Sequence, residues 1–249
     1  MFRLLRLKPP HGWNAVAWEL GIVTLGVLIA LGAQQWAEAR SWDSKVAASK
    51  AALRDELAEH YGYAVEFRVV YPCMQAQLDQ LRDRVNKSGA TLTPAPVYKD
   101  PDDDFVFRKP TKFYPTDAWE EAINDGVVQR FDPAMRRQLA GHYASLSRLT
   151  ALEAANMDSE QALMVLARPM PLDPGVRYQI ANSIEQLSGR LQWLDTMNGQ
   201  IIDYIEHVGM LPPAASAKAV TERYGTYRFC KEHSLPTRPF KEAMQAVPN

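Results

Sequence analysis

The chain has 249 residues, 28 Lys and Arg against 29 Asp and Glu, 47% hydrophobic and 10% aromatic residues. That length allows one large domain or a domain with an appendage. The balanced charge supplies no basic stripe for nucleic acid, and the apolar content excludes wholesale disorder. A mean hydropathy of -0.29 excludes a polytopic membrane protein and leaves room for one apolar span.

That span lies at residues 13–36. From Leu20 to Ala33 there is no charge, and only Glu19 interrupts the extension back to Ala15. Its length approaches the roughly 20 residues that a bilayer helix needs. Trp13 and Trp36 bracket the segment, with Trp18 inside it. At about 1.5 Å per residue the bracketing indoles fall near the two headgroup layers, where amphipathic rings are favoured. Arg3, Arg6 and Lys8 precede the span without an acid, whereas Glu38, Arg40, Asp43 and Lys45 follow it in balance. The positive-inside rule then places the N-terminus in the cytoplasm and everything after Trp36 outside. A cleavable signal peptide is the alternative, because Ala30-Leu31-Gly32 and Ala37-Glu38-Ala39 fit the small-residue cleavage rule. Both alternatives export the remainder. Glu19 is either a snorkelling or protonated carboxyl near the headgroups, or a polar handle for a partner helix. Ala17 with Gly21, and Gly26 with Ala30, are small-residue pairs that let two membrane helices approach closely.

Beyond the span, Trp42, Val46, Leu53, Leu57, Tyr61 and Ala64 recur at helical spacing, which predicts that the helix continues outward as a stalk. Pro72 is expected to interrupt it, with Met74, Leu78, Leu81 and Val85 resuming the period up to Asn86-Lys-Ser-Gly89. Residues 88–115 form a Pro- and Asp-rich loop. Its Asp100, Asp102, Asp103 and Asp104 lack the spacing and turn glycine of an EF-hand, which favours a solvated loop over a calcium site. Asp117-Ala-Trp-Glu120 resembles a capping box, and Gly126 fits the end of that helix. Asp132-Pro133 and Asp173-Pro174 each place a cap before Pro at the first helical position. The helix after Asp132 buries Met135, Leu139, Leu146, Leu149 and Leu152, with a possible break near Asp158-Ser159. The helix after Asp173 carries a heptad seam from Ile180 to Val208, polar only at Asn198, and ends at Gly209. The seam must pack against another long helix, in this chain or in a second copy.

Cys73 and Cys230 are the only cysteines, and an oxidising compartment favours their pairing. The disulfide would pin the C-terminal tail and its aromatic group Tyr224, Tyr227 and Phe229. The sequence contains no catalytic or phosphate-binding motif such as Gly-x-Ser-x-Gly, His-Glu-x-x-His or a P-loop. None of the five histidines has a second at the i, i+4 spacing of a metal pair. No catalytic residue, cofactor or metal site is assigned. Asn86-Lys-Ser88 is a glycosylation sequon only in a eukaryotic secretory route.

The fold expected is therefore all-α: one N-terminal transmembrane helix continuing into an extracytoplasmic bundle of long helices, with a disulfide-tied tail. Its parts are a cytoplasmic stub (1–12), the transmembrane helix (13–36), a stalk and first helical hairpin (37–87), the loop (88–115), the bundle (116–209) and the tail (210–249).

Trp18-Glu-Leu-Gly-Ile-Val-Thr-Leu-Gly-Val-Leu-Ile-Ala-Leu-Gly-Ala-Gln-Gln-Trp36, followed by Trp119-Glu-Glu-Ala-Ile-Asn-Asp-Gly126 and by Leu139 to Tyr143, resembles a group of uncharacterised bacterial single-pass inner-membrane proteins, frequent in proteobacteria. The resemblance covers about a quarter of the chain. It implies an inner-membrane location with a helical periplasmic domain, and it brings no catalytic or ligand residues. Three functions compete. The first is a membrane-anchored scaffold or accessory subunit that binds another inner-membrane complex or itself. The second is a periplasmic sensing module with a pocket lined by Trp119, His142 and Tyr143. The third is an enzyme of unrecognised type.

Overall fold

The computed structural model describes residues 12–99 and 104–247. Arg3, Arg6 and Lys8 of the expected stub, and Asp100, Asp102 and Asp103 of the loop, lie outside the described residues. Among the described residues there are seven α-helices and one two-stranded sheet. The chain divides into two compact units, Met1–Lys50 and Ala51–Asn249.

In the first unit the residues from Trp13 onward lie on helix α1 (Trp13–Lys87). Its 18-residue apolar window has mean hydropathy 2.0 and is 0% buried, long and apolar enough to cross a membrane. Burial is what stabilises an apolar helix in water, and this segment has none within the protein. Trp13, Trp18 and Trp36 are exposed along it. The Thr24 hydroxyl donates to Leu20 O at 2.7 Å, so that side chain is satisfied within the helix, as an apolar solvent requires.

The second unit is built around the remainder of α1. Every residue from 60 to 70 is buried, so this stretch is enclosed on all sides rather than on one face. The interruption expected at Pro72 does not form, and no hairpin turn occurs in 37–87: α1 runs through Pro72 to Lys87. Proline removes one backbone donor and crowds the preceding turn. Here tertiary contacts on both sides of Pro72 hold the helix. The backbone N–H of Arg238 donates to Val69 O at 2.8 Å, and Cys73, Met74 and Leu78 are fully buried.

Residues 88–116 contain a short antiparallel pair, β1 (Tyr98–Lys99) and β2 (Asp104–Phe105). The start of this loop is tied down by backbone bonds to residues 166–172, from Leu92 N to Met170 O and from Leu172 N to Ala90 O, each 2.8 Å. Helix α2 (Asp117–Asn124) starts one residue earlier than its capping box suggested, with Thr116 at the N-cap. Its orphan donor at Ala118 is satisfied from α1, where Glu56 Oε2 accepts at 2.8 Å. Helix α3 (Pro133–Leu163) begins as expected, the Asp132 carboxylate accepting from Ala134 N and Met135 N. It passes Asp158-Ser159 without a break. Arg190 bridges that point, donating to Ala155 O and Ser159 Oγ at 2.9 and 2.7 Å.

Helix α4 (Pro174–Val208) is capped by Asp173 and ends at Gly209, whose φ of 72° is the left-handed conformation open to glycine. From Ile184 to Val208 its seam is buried within this chain, chiefly against α3. Asn198, the polar position of the seam, accepts from the Tyr114 hydroxyl at 2.6 Å and donates to Leu194 O at 2.8 Å. The tail forms α5 (Ala214–Arg223), α6 (Gly225–Glu232) and α7 (Phe240–Ala243). Cys230 on α6 is bonded to Cys73 on α1. Charged groups add further ties. Arg68 of α1 donates to Ala243 O at 3.0 Å and to Gln245 O, while Arg238 makes a forked pair with Asp195 of α4 at 2.8 and 2.9 Å.

Candidate functional site

The structure brings Trp119, His142 and Tyr143 together. Trp119 of α2 and Tyr143 of α3 stack in parallel at 5.0 Å, and His142 meets Tyr143 edge-on at 4.9 Å. All three are buried, and α1 completes the group with Glu56 and His60. The Tyr143 hydroxyl donates to Glu56 Oε1, a bond that lowers the pKa of a carboxyl which burial raises. His60 Nε2 lies 2.7 Å from Pro115 O, and His60 Nδ1 lies 2.8 Å from His142 Nε2.

A carbonyl only accepts, so His60 carries its proton on Nε2 and offers Nδ1 as an acceptor to the Nε2–H of His142. His142 Nδ1 is then unprotonated, and it is buried without a hydrogen-bond partner. Burial depresses both imidazoles, His60 to about 4 and His142 to about 3, and each is neutral at neutral pH. The cluster is a packed joint between α1, α2, α3 and the loop.

A second polar group opens to solvent. Phe105, residues 107–112, Tyr224, Gly225 and Thr226 surround a cleft of about 420 Å³, into which α1 presents Glu66 and α3 presents Glu160. Glu66 is 0% exposed, yet neither of its oxygens has a hydrogen-bond partner. Lys112 Nζ forms an ion pair with Glu66 Oε2 at 3.7 Å, longer than a hydrogen bond. Burial pushes the Glu66 carboxyl up to about 7, with Lys112 and Arg108 pulling it back. Lys112 is itself lowered by burial and rests over the ring of Tyr224.

Deeper in the wall, Lys109 Nζ donates to Glu153 Oε2 at 2.7 Å and lies 3.5 Å from Glu160 Oε1. Burial raises Glu160 to about 7. Arg108 is positioned through its backbone, which exchanges two hydrogen bonds with the Gln77 amide at 2.7 and 3.0 Å. Gly225 leaves room for its guanidinium, since a Cβ there would lie 2.7 Å from Arg108 Nη2. Among the described residues no group of three or more His, Cys, Asp or Glu is placed to hold a metal ion.

The remaining sequence-assigned residues lie elsewhere. Cys73 and Cys230 form the disulfide. Ala17, Glu19, Gly21, Gly26 and Ala30 lie on the exposed part of α1, where a Cβ added at Gly21 or Gly26 would meet nothing within 4 Å. Sequence reasoning missed the cleft, although Glu66 and Arg68 interrupt the apolar run from Tyr61 to Tyr71. Charged residues inside such a run are the available signal for buried, partnered charge. The chain matches no protein-family model, no curated protein and no solved structure.

Proposed function

We propose that this protein is a single-pass, membrane-anchored accessory subunit whose disulfide-closed helical domain stands in an oxidising compartment, the periplasm of a bacterial cell, and works there by binding. The observation that carries the reading is the unburied apolar window of α1, which lipid would cover along its whole length. The basic residues Arg3, Arg6 and Lys8 before the window supply the orientation. The buried cystine agrees with an oxidising destination. The partner is another inner-membrane complex or a second copy, met through the exposed membrane helix.

Carbonate washing of membranes, followed by blue-native electrophoresis in mild detergent, tests both halves. The protein is expected to stay in the pellet and to migrate above its monomer mass. Release by carbonate would remove the anchor, and migration only as a monomer at several detergent strengths would remove the partner. A second reading, a ligand-binding module, is favoured by the Glu66 carboxyl, which is buried in the cleft with no hydrogen bond.

A further inference from the structure

A carboxyl that is fully buried without a hydrogen bond lacks the partners that normally offset its desolvation. Glu66 is in that position on two oxygens, and Glu160 Oε1 in the same cleft has no hydrogen bond either. The cleft therefore presents acceptors that require donors. It also presents cations, because Arg108, Lys109 and Lys112 share its wall. Glu66 and Lys112 thus set one carboxyl and one ammonium side by side in the cleft, which favours an occupant that carries both signs. A volume of about 420 Å³ lies at the small end of the roughly 300–1,000 Å³ of ligand sites. Phe105, Phe107 and Tyr224 give the same cleft an apolar side.

We infer that the cleft binds a small zwitterion, a free α-amino acid or a dipeptide, with its ammonium on Glu66, its carboxylate toward Lys112 and its side chain along the aromatic wall. The inference rests on the ligand-binding reading and names the ligand class. The ammonium supplies the donors that Glu66 lacks. Lys112, standing off from Glu66, turns toward the ligand carboxylate without leaving the Tyr224 ring.

The test is isothermal titration calorimetry at pH 8 on the full chain in detergent micelles. The probes are the common α-amino acids and glycylglycine, with putrescine, acetate and glucose as singly signed and neutral comparators. At least one zwitterionic probe is expected to bind with Kd below about 1 mM. Glu66→Gln should weaken it tenfold or more, and Lys112→Met should weaken it at a temperature where the variant is still fully folded by circular dichroism. Asp79→Asn, at an exposed position outside the cleft lining, should leave it unchanged. Binding of putrescine, acetate or glucose in place of any zwitterion overturns the ligand class and leaves the cleft as a binding site. Binding by none of the probes overturns both the class and the ligand-binding reading. Equal affinity in Glu66→Gln overturns the placement of the ammonium.

Discussion

Replacing Cys73 and Cys230 together by alanine is expected to lower the melting temperature of the helical domain by roughly 10 °C or more. The two cysteines are 157 residues apart, and both are 0% exposed. Closing so long a loop restricts the unfolded chain by about 5 kcal/mol on the chain-entropy account, the upper end of what disulfides contribute. The bond joins α1 to α6, and so joins the central helix to the tail. Other ties of the tail remain in the variant, among them the Arg68 bonds to Ala243 and Gln245, the Arg238 fork on Asp195 and the Arg238 N–H bond to Val69 O. The tail is therefore expected to stay docked at low temperature and to be cleaved by protease before the bundle on warming. Circular dichroism melts with and without reductant check the first point, and timed proteolysis checks the second. A reductant-induced shift below about 2 °C would contradict the loop-closure argument.

Lys109→Met is expected to destabilise the domain by about 3 kcal/mol at pH 8, because it removes the cation from between Glu153 and Glu160 and leaves their charge partly buried. The lysine side chain is only 2% exposed, against 18% and 21% for the two carboxylates, so water reaches the acids far better than the base. The loss should shrink as the pH falls. Glu160 already titrates near 7 in the folded protein, above its ordinary 4.5, because of burial. A group raised on folding contributes stability that is present below its unfolded pKa and lost as pH rises through its folded one. Without Lys109 the folded value rises further. The variant therefore recovers between pH 8 and pH 5, as Glu160 takes up its proton. Urea unfolding at those two pH values measures it, and an equal deficit at both would show that packing, not charge, is what the lysine supplies.

Much of this fold was legible because it is written locally. Asp132-Pro133 and Asp173-Pro174 start helices for reasons contained within a few residues, and Gly209 ends one. The α4 seam was legible because one face of that helix is buried and periodicity reports a single face. In α1 the helix itself was legible from its spacing, but the enclosure of residues 60–70 on every side was not, since periodicity reports one buried face. Pro72 misled because its local cost is real but is overridden by contacts from residues 230–238, far along the chain. The cystine was legible by elimination, two cysteines allowing one pair. The cleft was not legible at all. Glu66, Lys109, Lys112, Glu160 and Tyr224 come from four separate stretches and meet only because α1 runs through the centre of the domain. Trp119, His142 and Tyr143 were singled out as a pocket lining, and they do meet, through ring contacts that depend on how α2 packs on α3 and so are not written in either segment alone.

The claim on which the account depends is that the apolar part of α1 stays in lipid and carries the remaining chain out of the cytoplasm. Fusing alkaline phosphatase and, separately, green fluorescent protein to the C-terminus in a bacterial host reads this directly. The account predicts an active phosphatase and a dark fluorescent protein, both held in the membrane fraction. A fluorescent fusion with an inactive phosphatase would place the helical domain in the cytosol and contradict it.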